Sequence, residues 1–199
     1  MVESRSSGRP LATDSAVARV AFIKVARTHF AKFGYTGTAM TSVAQEAGYT
    51  PTALRHYFEN KAELYAAVFA ATSNEIYPQI VQHLHSPTMA DAIEGSMSRM
   101  LQISKEFPEF IDFLYRTPSE LYRHPELREK VEVRESFQEF FYSSLISLGR
   151  KTGELNELTD ELQIMFFRTV MQGWIYEGIF SNDITLKTQI ALVKLLERL

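Results

Sequence analysis

The residues best suited to chemistry in this sequence lie between Thr38 and Lys61. Thr38 and Thr50 each stand where a short helical segment is expected to begin. Each has a hydroxyl that can bond a phosphate oxygen beside the unpaired N–H groups of a helix N-terminus. Lys61 offers a cation to a phosphate, and the Tyr57 hydroxyl offers a second donor. Arg55 suits either a phosphate or the bidentate edge of guanine. Pro51, Thr52, Ala53 and His56 complete the set. The apolar surfaces of Pro51, Ala53 and the Thr52 methyl fit thymine methyl groups, and the Thr52 hydroxyl and His56 fit hydrogen bonds to bases. Both threonines also read simply as helix caps. Of the adjacent pair Tyr57 and Phe58, Phe58 is assigned to the core and Tyr57 to the surface.

The rest of the chain offers little that reacts. There is no cysteine, which excludes disulfide scaffolds, Cys-ligated zinc and thiol catalysis. Among the five histidines only His83 and His85 are close, and an i, i+2 pair does not share a helix face. No HExxH and no Glu-x-x-His pair is present. Glu126, Glu129, Glu132 and Glu135 alternate with Arg128, Lys130 and Arg134, as on a solvated face. No catalytic residue, metal ligand or cofactor is assigned, and a helical enzyme is the weakest reading. No apolar run reaches the roughly 18 residues of a membrane span. The segment Met1 to Asp14 lacks the apolar stretch of a signal peptide, so a cytoplasmic protein without a membrane partner is expected.

These residues need elements to hold them. With 9 Gly and 7 Pro in 199 residues, and no strand-length run of alternating Val, Ile and Thr, the chain reads as all-α. Residues 1–13 form a Ser/Gly/Pro/Arg-rich arm. A first helix starts near Thr13 to Ser15 and closes at Gly34. A second runs from Thr38, as N-cap, to Ala47, and Gly48 supplies the turn. Thr50-Pro51 opens a third, with Pro51 at the first helical position, where its missing N–H costs nothing. It reaches Tyr57 or Phe58. Asn60 and Glu63 make a capping-box start for a fourth helix, to about Leu84. Further helices follow over 88–107, 108–122 (with a possible break at Thr117-Pro118), 124–149, 159–180 and 183–199, with a linker over 151–158. Two short helices around a glycine turn, flanked by longer ones, form a helix-turn-helix unit. Val43 and Leu54 fill the space between its helices, and Ala44 and Ala47 allow close crossing.

The run FAKFGYTGTAMTSVAQEAGYTPTALRHYFENKAEL resembles the N-terminal domain of TetR-family transcriptional regulators. The resemblance rests on Phe30, Gly34-Tyr35, Thr38, Val43-Ala44, Ala47-Gly48, Thr50, Leu54, Tyr57-Phe58 and Lys61, over roughly residues 17–66. It implies an all-α dimer of about nine helices. A three-helix DNA-binding domain (14–60) would precede an effector-binding and dimerisation domain (61–199), and repression would be the direction of control. Two positions depart from the family. Arg55 stands where a phosphate-contacting tyrosine is usual, which keeps phosphate binding. Pro51-Thr52 replaces the commoner Lys-Gly, so no operator sequence carries over. Arg5 and Arg9 on the arm are either minor-groove contacts or plain solvated residues.

The body is rich in aromatic residues, with nine between Phe107 and Tyr142. Phe110, Phe113, Leu114, Phe137, Phe141, Met165 and Trp174 are candidates to line a cavity for a small hydrophobic or aromatic effector. Arg168, Gln172 or Tyr115 would anchor its polar end. Each aromatic also reads as ordinary core. A regulator that answers to a partner protein, or to nothing, is the alternative. Phe166, Val170, Gly173, Gly178, Leu186, Ile190 and Val193 form stripes wider than one buried face needs, suited to a four-helix homodimer interface. Two heads about one DNA turn apart would read a near-palindromic operator in double-stranded DNA. Taken alone, the net charge of −3 argues mildly against such a partner, but it is unevenly spread. Residues 1–64 carry 8 Lys/Arg against 5 Asp/Glu, and residues 65–199 carry 13 against 19. The acidic average belongs to the body.

Overall fold

The computed structural model describes residues 12–131, 133–155 and 159–180. These contain eight α-helices, two short 3-10 segments and no strand. The expected arm over 1–13, with Arg5 and Arg9, falls almost wholly outside the described residues. The expected last helix over 183–199, with Leu186, Ile190 and Val193, lies outside them entirely.

Helix α1 (Ala12–Gly37) is bent at Gly34, whose φ of 70° and ψ of −179° suit only glycine. Helices α2 (Met40–Glu46) and α3 (Pro51–Tyr57) follow. The turn between them passes through Gly48 at φ 81°, the left-handed region that glycine enters freely. Thr50 caps α3, accepting from the Ala53 N–H at 3.2 Å. Asn60 caps α4 (Lys61–Val81) through the Glu63 N–H, and the Glu63 carboxylate accepts from the Glu59 N–H. Pro78 sits inside α4, and the helix yields to a 3-10 segment at Gln82–His85. Helix α5 (Met89–Glu106) carries the Thr88 cap.

Helix α6 (Pro108–Arg123) runs unbroken through Thr117-Pro118. The Thr117 hydroxyl instead donates to the Phe113 carbonyl within the helix. The helix expected over 124–149 is split: Pro125–Lys130 is 3-10, and α7 spans Val133–Thr152. Helix α8 spans Asp160–Phe180. No helix among the described residues is long and apolar enough to cross a membrane.

Two apolar clusters organise the chain. The first joins Phe22, Ala26, Phe30, Val43, Leu54 and Phe58 of the N-terminal helices to Leu64, Tyr65, Phe69, Phe113 and Leu121 of α4 and α6. The second joins α4, α5, α6, α7 and α8 through Ile76, Met97, Ile111, Phe141, Leu145, Phe167 and Trp174. Helix α6 serves both, Phe113 and Leu121 belonging to the first cluster and Phe110 and Ile111 to the second. Phe110, Phe113, Thr117 and Leu121 lie at helical spacing on one buried face, while Ile111, Leu114, Tyr115 and Pro118 face the interior of the body.

Candidate nucleic-acid interface and internal cavity

Helix α3 is held by one residue, the fully buried Leu54, and turns most of the others outward. Thr52, Arg55 and His56 are exposed at i, i+3 and i+4, so they share one face. Pro51 and Ala53 are half-buried at its edges, and Thr50 is exposed. Tyr57 is half-buried, its ring 5.6 Å from that of Phe22, while Phe58 is core as expected. Arg19 of α1, which the sequence reading passed over, is exposed, with its guanidinium 5.5 Å from the ring centroid of the buried Phe58.

Thr38 is a correction. It is buried, and its hydroxyl donates to the Gly34 carbonyl at 2.7 Å rather than capping α2. The N-cap of α2 is Ala39, with no side-chain bond. The broken end of α1 leaves a carbonyl that needs a donor, and Thr38 supplies it, so its side chain is not free for phosphate. Lys61 completes the same turn. Its ammonium donates to the Thr36 and Thr38 carbonyls at 3.3 and 3.1 Å and lies 4.6 Å from the Tyr35 ring centroid. Burial pulls its pKa below the ordinary lysine value, against the opposing charge of Glu120.

The turn is also tied to the body. Glu120 on α6 accepts from the Tyr35 N–H at 3.1 Å, and His124 shares a hydrogen bond of 3.0 Å with the Thr36 hydroxyl. Deeper in, Arg27 on α1 reaches Glu75 on α4 at 3.2 Å, with its guanidinium 3.5 Å from the Phe110 ring centroid.

Behind α6 lies a cavity of about 360 Å³. This is a volume suited to a drug-sized ligand. Of the expected lining residues, Leu114, Phe137, Phe141 and Trp174 are there, as are Tyr115 and Gln172. The others are corrections. Phe110 packs under Arg27, and Phe113 is wedged against Phe30, Tyr65 and Phe69 in the first cluster. Both lie on the outer buried face of α6. Met165 and Arg168 are exposed, because α8 turns Met171, Gln172 and Trp174 inward instead. Tyr142, one of the nine aromatics, also lines the cavity, and the sequence reading missed Tyr77, Met97, Met100, Ser119, Gln138 and Met171. Tyr77 stacks on Phe137 with ring centroids 3.6 Å apart.

On the opposite side of α8, Leu162, Met165 and Phe166 are exposed, Val170 is half-buried, and a Cβ added at Gly173 would meet nothing. Phe166, Val170 and Gly173 thus lie on an apolar stripe that no described residue covers. Gly178 falls within α8, and nothing further is described at that position.

Comparison with known proteins places this geometry. Residues 22–68 match the profile of bacterial regulatory proteins, tetR family. Over 166 residues the chain is 25% identical to an HTH-type transcriptional repressor of Streptomyces coelicolor, covering 82% of this chain and 80% of that protein. The fold is similar to that of the transcriptional regulator FadR from Bacillus subtilis, solved in complex with stearoyl-CoA (TM-score 0.72, 16% identity, 90% of this chain and 95% of that one). It is equally similar to AibR, solved with isovaleryl coenzyme A and operator DNA (TM-score 0.72, 17% identity, 89% and 97%).

Proposed function

We propose, from the premise that this chain is a DNA-binding transcriptional regulator of the tetR family by its N-terminal domain, that it is a repressor released from a near-palindromic operator by a small hydrophobic effector. The observation that carries the reading is the double use of α6. One face packs on α1 and holds the turn before α2 through Glu120, and the other lines the cavity. A ligand that displaces α6 therefore bears on the spacing and tilt of the helix-turn-helix. The name of the Streptomyces relative supports repression as the sign of control. The cavity favours the effector reading over a regulator that answers to none.

On DNA, Thr52, Arg55 and His56 read base edges in the major groove, with Pro51 and Ala53 as apolar flanks. Thr50, Tyr57 and Lys61 hold phosphates. The exposed stripe of α8 pairs with its copy in a homodimer, which sets the two heads about 34–36 Å apart. Selection of bound DNA from a random pool tests this directly. Enrichment of a palindrome, lost when Thr52 is substituted at one base pair only, is the expected result. A pool without an enriched palindrome would sink the reading.

A further inference from the structure

The cavity is more selective than its apolar character alone requires. None of its described lining residues carries a charge: the polar groups are Ser96, Ser119, Gln138, Gln172, the phenols of Tyr77, Tyr115 and Tyr142, and the indole of Trp174. Burial pushes the Tyr115 phenol up, with Tyr176 adding to it, so that group is neutral at ordinary pH. A carboxylate or phosphate placed here would lose its hydration with no cation among the described lining residues to replace it, a cost of several kcal/mol. The walls are aromatic and thioether: the stacked pair Tyr77 and Phe137, then Phe141, and the methionines Met97, Met100 and Met171. Such surfaces adapt to flat rings. One polar atom is unanswered. Trp174 is only 6% exposed, and its indole N–H has no acceptor among the described residues. A buried orphan donor is rare and costly, and a bound acceptor removes the cost.

We infer that the cavity takes an uncharged, flat aromatic ligand of two or three rings with one hydrogen-bond acceptor, and that the Trp174 N–H donates to it. This deepens the effector reading above and rests on it. It departs from the coenzyme A thioesters named with the similar structures, whose phosphates find no counter-charge in this lining.

Trp174 is the only tryptophan in the chain, so its emission reports on the cavity itself. The test titrates the full-length protein with four probes, read by tryptophan quenching and, in parallel, by calorimetry. Fluorenone is a neutral three-ring ketone; fluorene has the same rings and no acceptor; fluorene carboxylate adds a charge; stearoyl-CoA stands for the thioesters. Fluorenone should bind saturably and roughly tenfold more tightly than fluorene, the worth of one buried hydrogen bond. Fluorene carboxylate should bind at least roughly tenfold more weakly than fluorenone. Trp174→Phe keeps an aromatic side chain, smaller than the indole, and removes the donor. By calorimetry it should bind fluorenone and fluorene with equal affinity, whatever the absolute change. The inference is overturned if fluorenone does not bind, if the carboxylate or stearoyl-CoA binds as tightly, or if the ketone preference survives in Trp174→Phe. Fluorenone bound to a protein that still holds its operator would support the ligand class and overturn the release mechanism.

Discussion

Replacing Gly34 by alanine tests how the N-terminal helices are fastened to the body. At φ 70° and ψ −179° any residue with a Cβ is strained, by about 1–3 kcal/mol. The new Cβ would also stand 2.6 Å from Glu120 Oε1, so the carboxylate must move. Its bond to the Tyr35 N–H is then lost, and a charge-assisted hydrogen bond of this kind contributes about 1.5–3 kcal/mol. Gly34→Ala should therefore cost about 2.5–6 kcal/mol of a stability that is about 5–15 kcal/mol in an ordinary domain. Glu120→Ala alone should cost about 1.5–3 kcal/mol. The double variant should be little worse than Gly34→Ala, because the first substitution has already expelled the carboxylate. The cycle then shows a coupling of about 1.5–3 kcal/mol. Urea denaturation of the four proteins, compared at constant m, measures it. Simple additivity, or a Gly34→Ala loss under about 1 kcal/mol, would refute the clash and the clamp together.

Three further outcomes are expected. Lys61→Met removes a cation from the DNA face as well as the donor to the Thr36 and Thr38 carbonyls, so it should lower the melting temperature and reduce the salt slope of operator binding by about one unit. An unchanged slope would confine Lys61 to bracing the turn. Burial opposes ionisation of Glu154, but bonds from Thr152 and from the Met89 and Ala90 N–H groups outweigh it and hold its carboxyl below the ordinary glutamate value. A carboxyl depressed in the folded state contributes stability above its unfolded value, about 4.3, and loses it as pH falls through the folded one. Glu154→Gln should flatten the acid limb of a melting-temperature profile, and an identical limb would refute the assignment. Phe166→Glu places a charge on the exposed stripe of α8 and should shift sedimentation from dimer toward monomer while leaving the helical signal unchanged; a dimer that persists would move the interface elsewhere.

The N-terminal unit was legible because its signals are local. Gly48 needs a positive φ, Thr50 caps a helix that Pro51 opens, and Asn60 with Glu63 marks the next start. Each depends on neighbours within four residues. Thr38 was misread for the same reason: it has a capping type and a suitable position, but the carbonyl freed at Gly34 competes for its hydroxyl. The cavity was only half legible. Phe110, Phe113 and Leu114 are close in pattern, yet Phe110 and Phe113 turn toward α1 while Leu114, rotated a little further about the helix axis, lines the cavity, and only tertiary packing decides where that division falls. Periodicity alone separates Ile111, Leu114, Tyr115 and Pro118 from Phe110, Phe113, Thr117 and Leu121, a division open to a reader who tracks faces rather than residue types.

The shared first cluster has a consequence for the order in which the protein is made. The rings of Phe22 and Phe30 share one cluster with Tyr65, Phe69, Phe113, Leu121, Leu127 and Val131, beside their partners Tyr49, Tyr57 and Tyr35 within the N-terminal segment. A nascent chain that has just emitted α3 thus carries a recognition unit without its floor. Some 70 further residues must leave the ribosome before Val131 can seal it, roughly 4–14 s at about 5–20 residues per second. During that interval the N-terminal helices lack part of the apolar surface that backs them in the finished fold. Their packing is therefore completed only after roughly half of the body has followed them out.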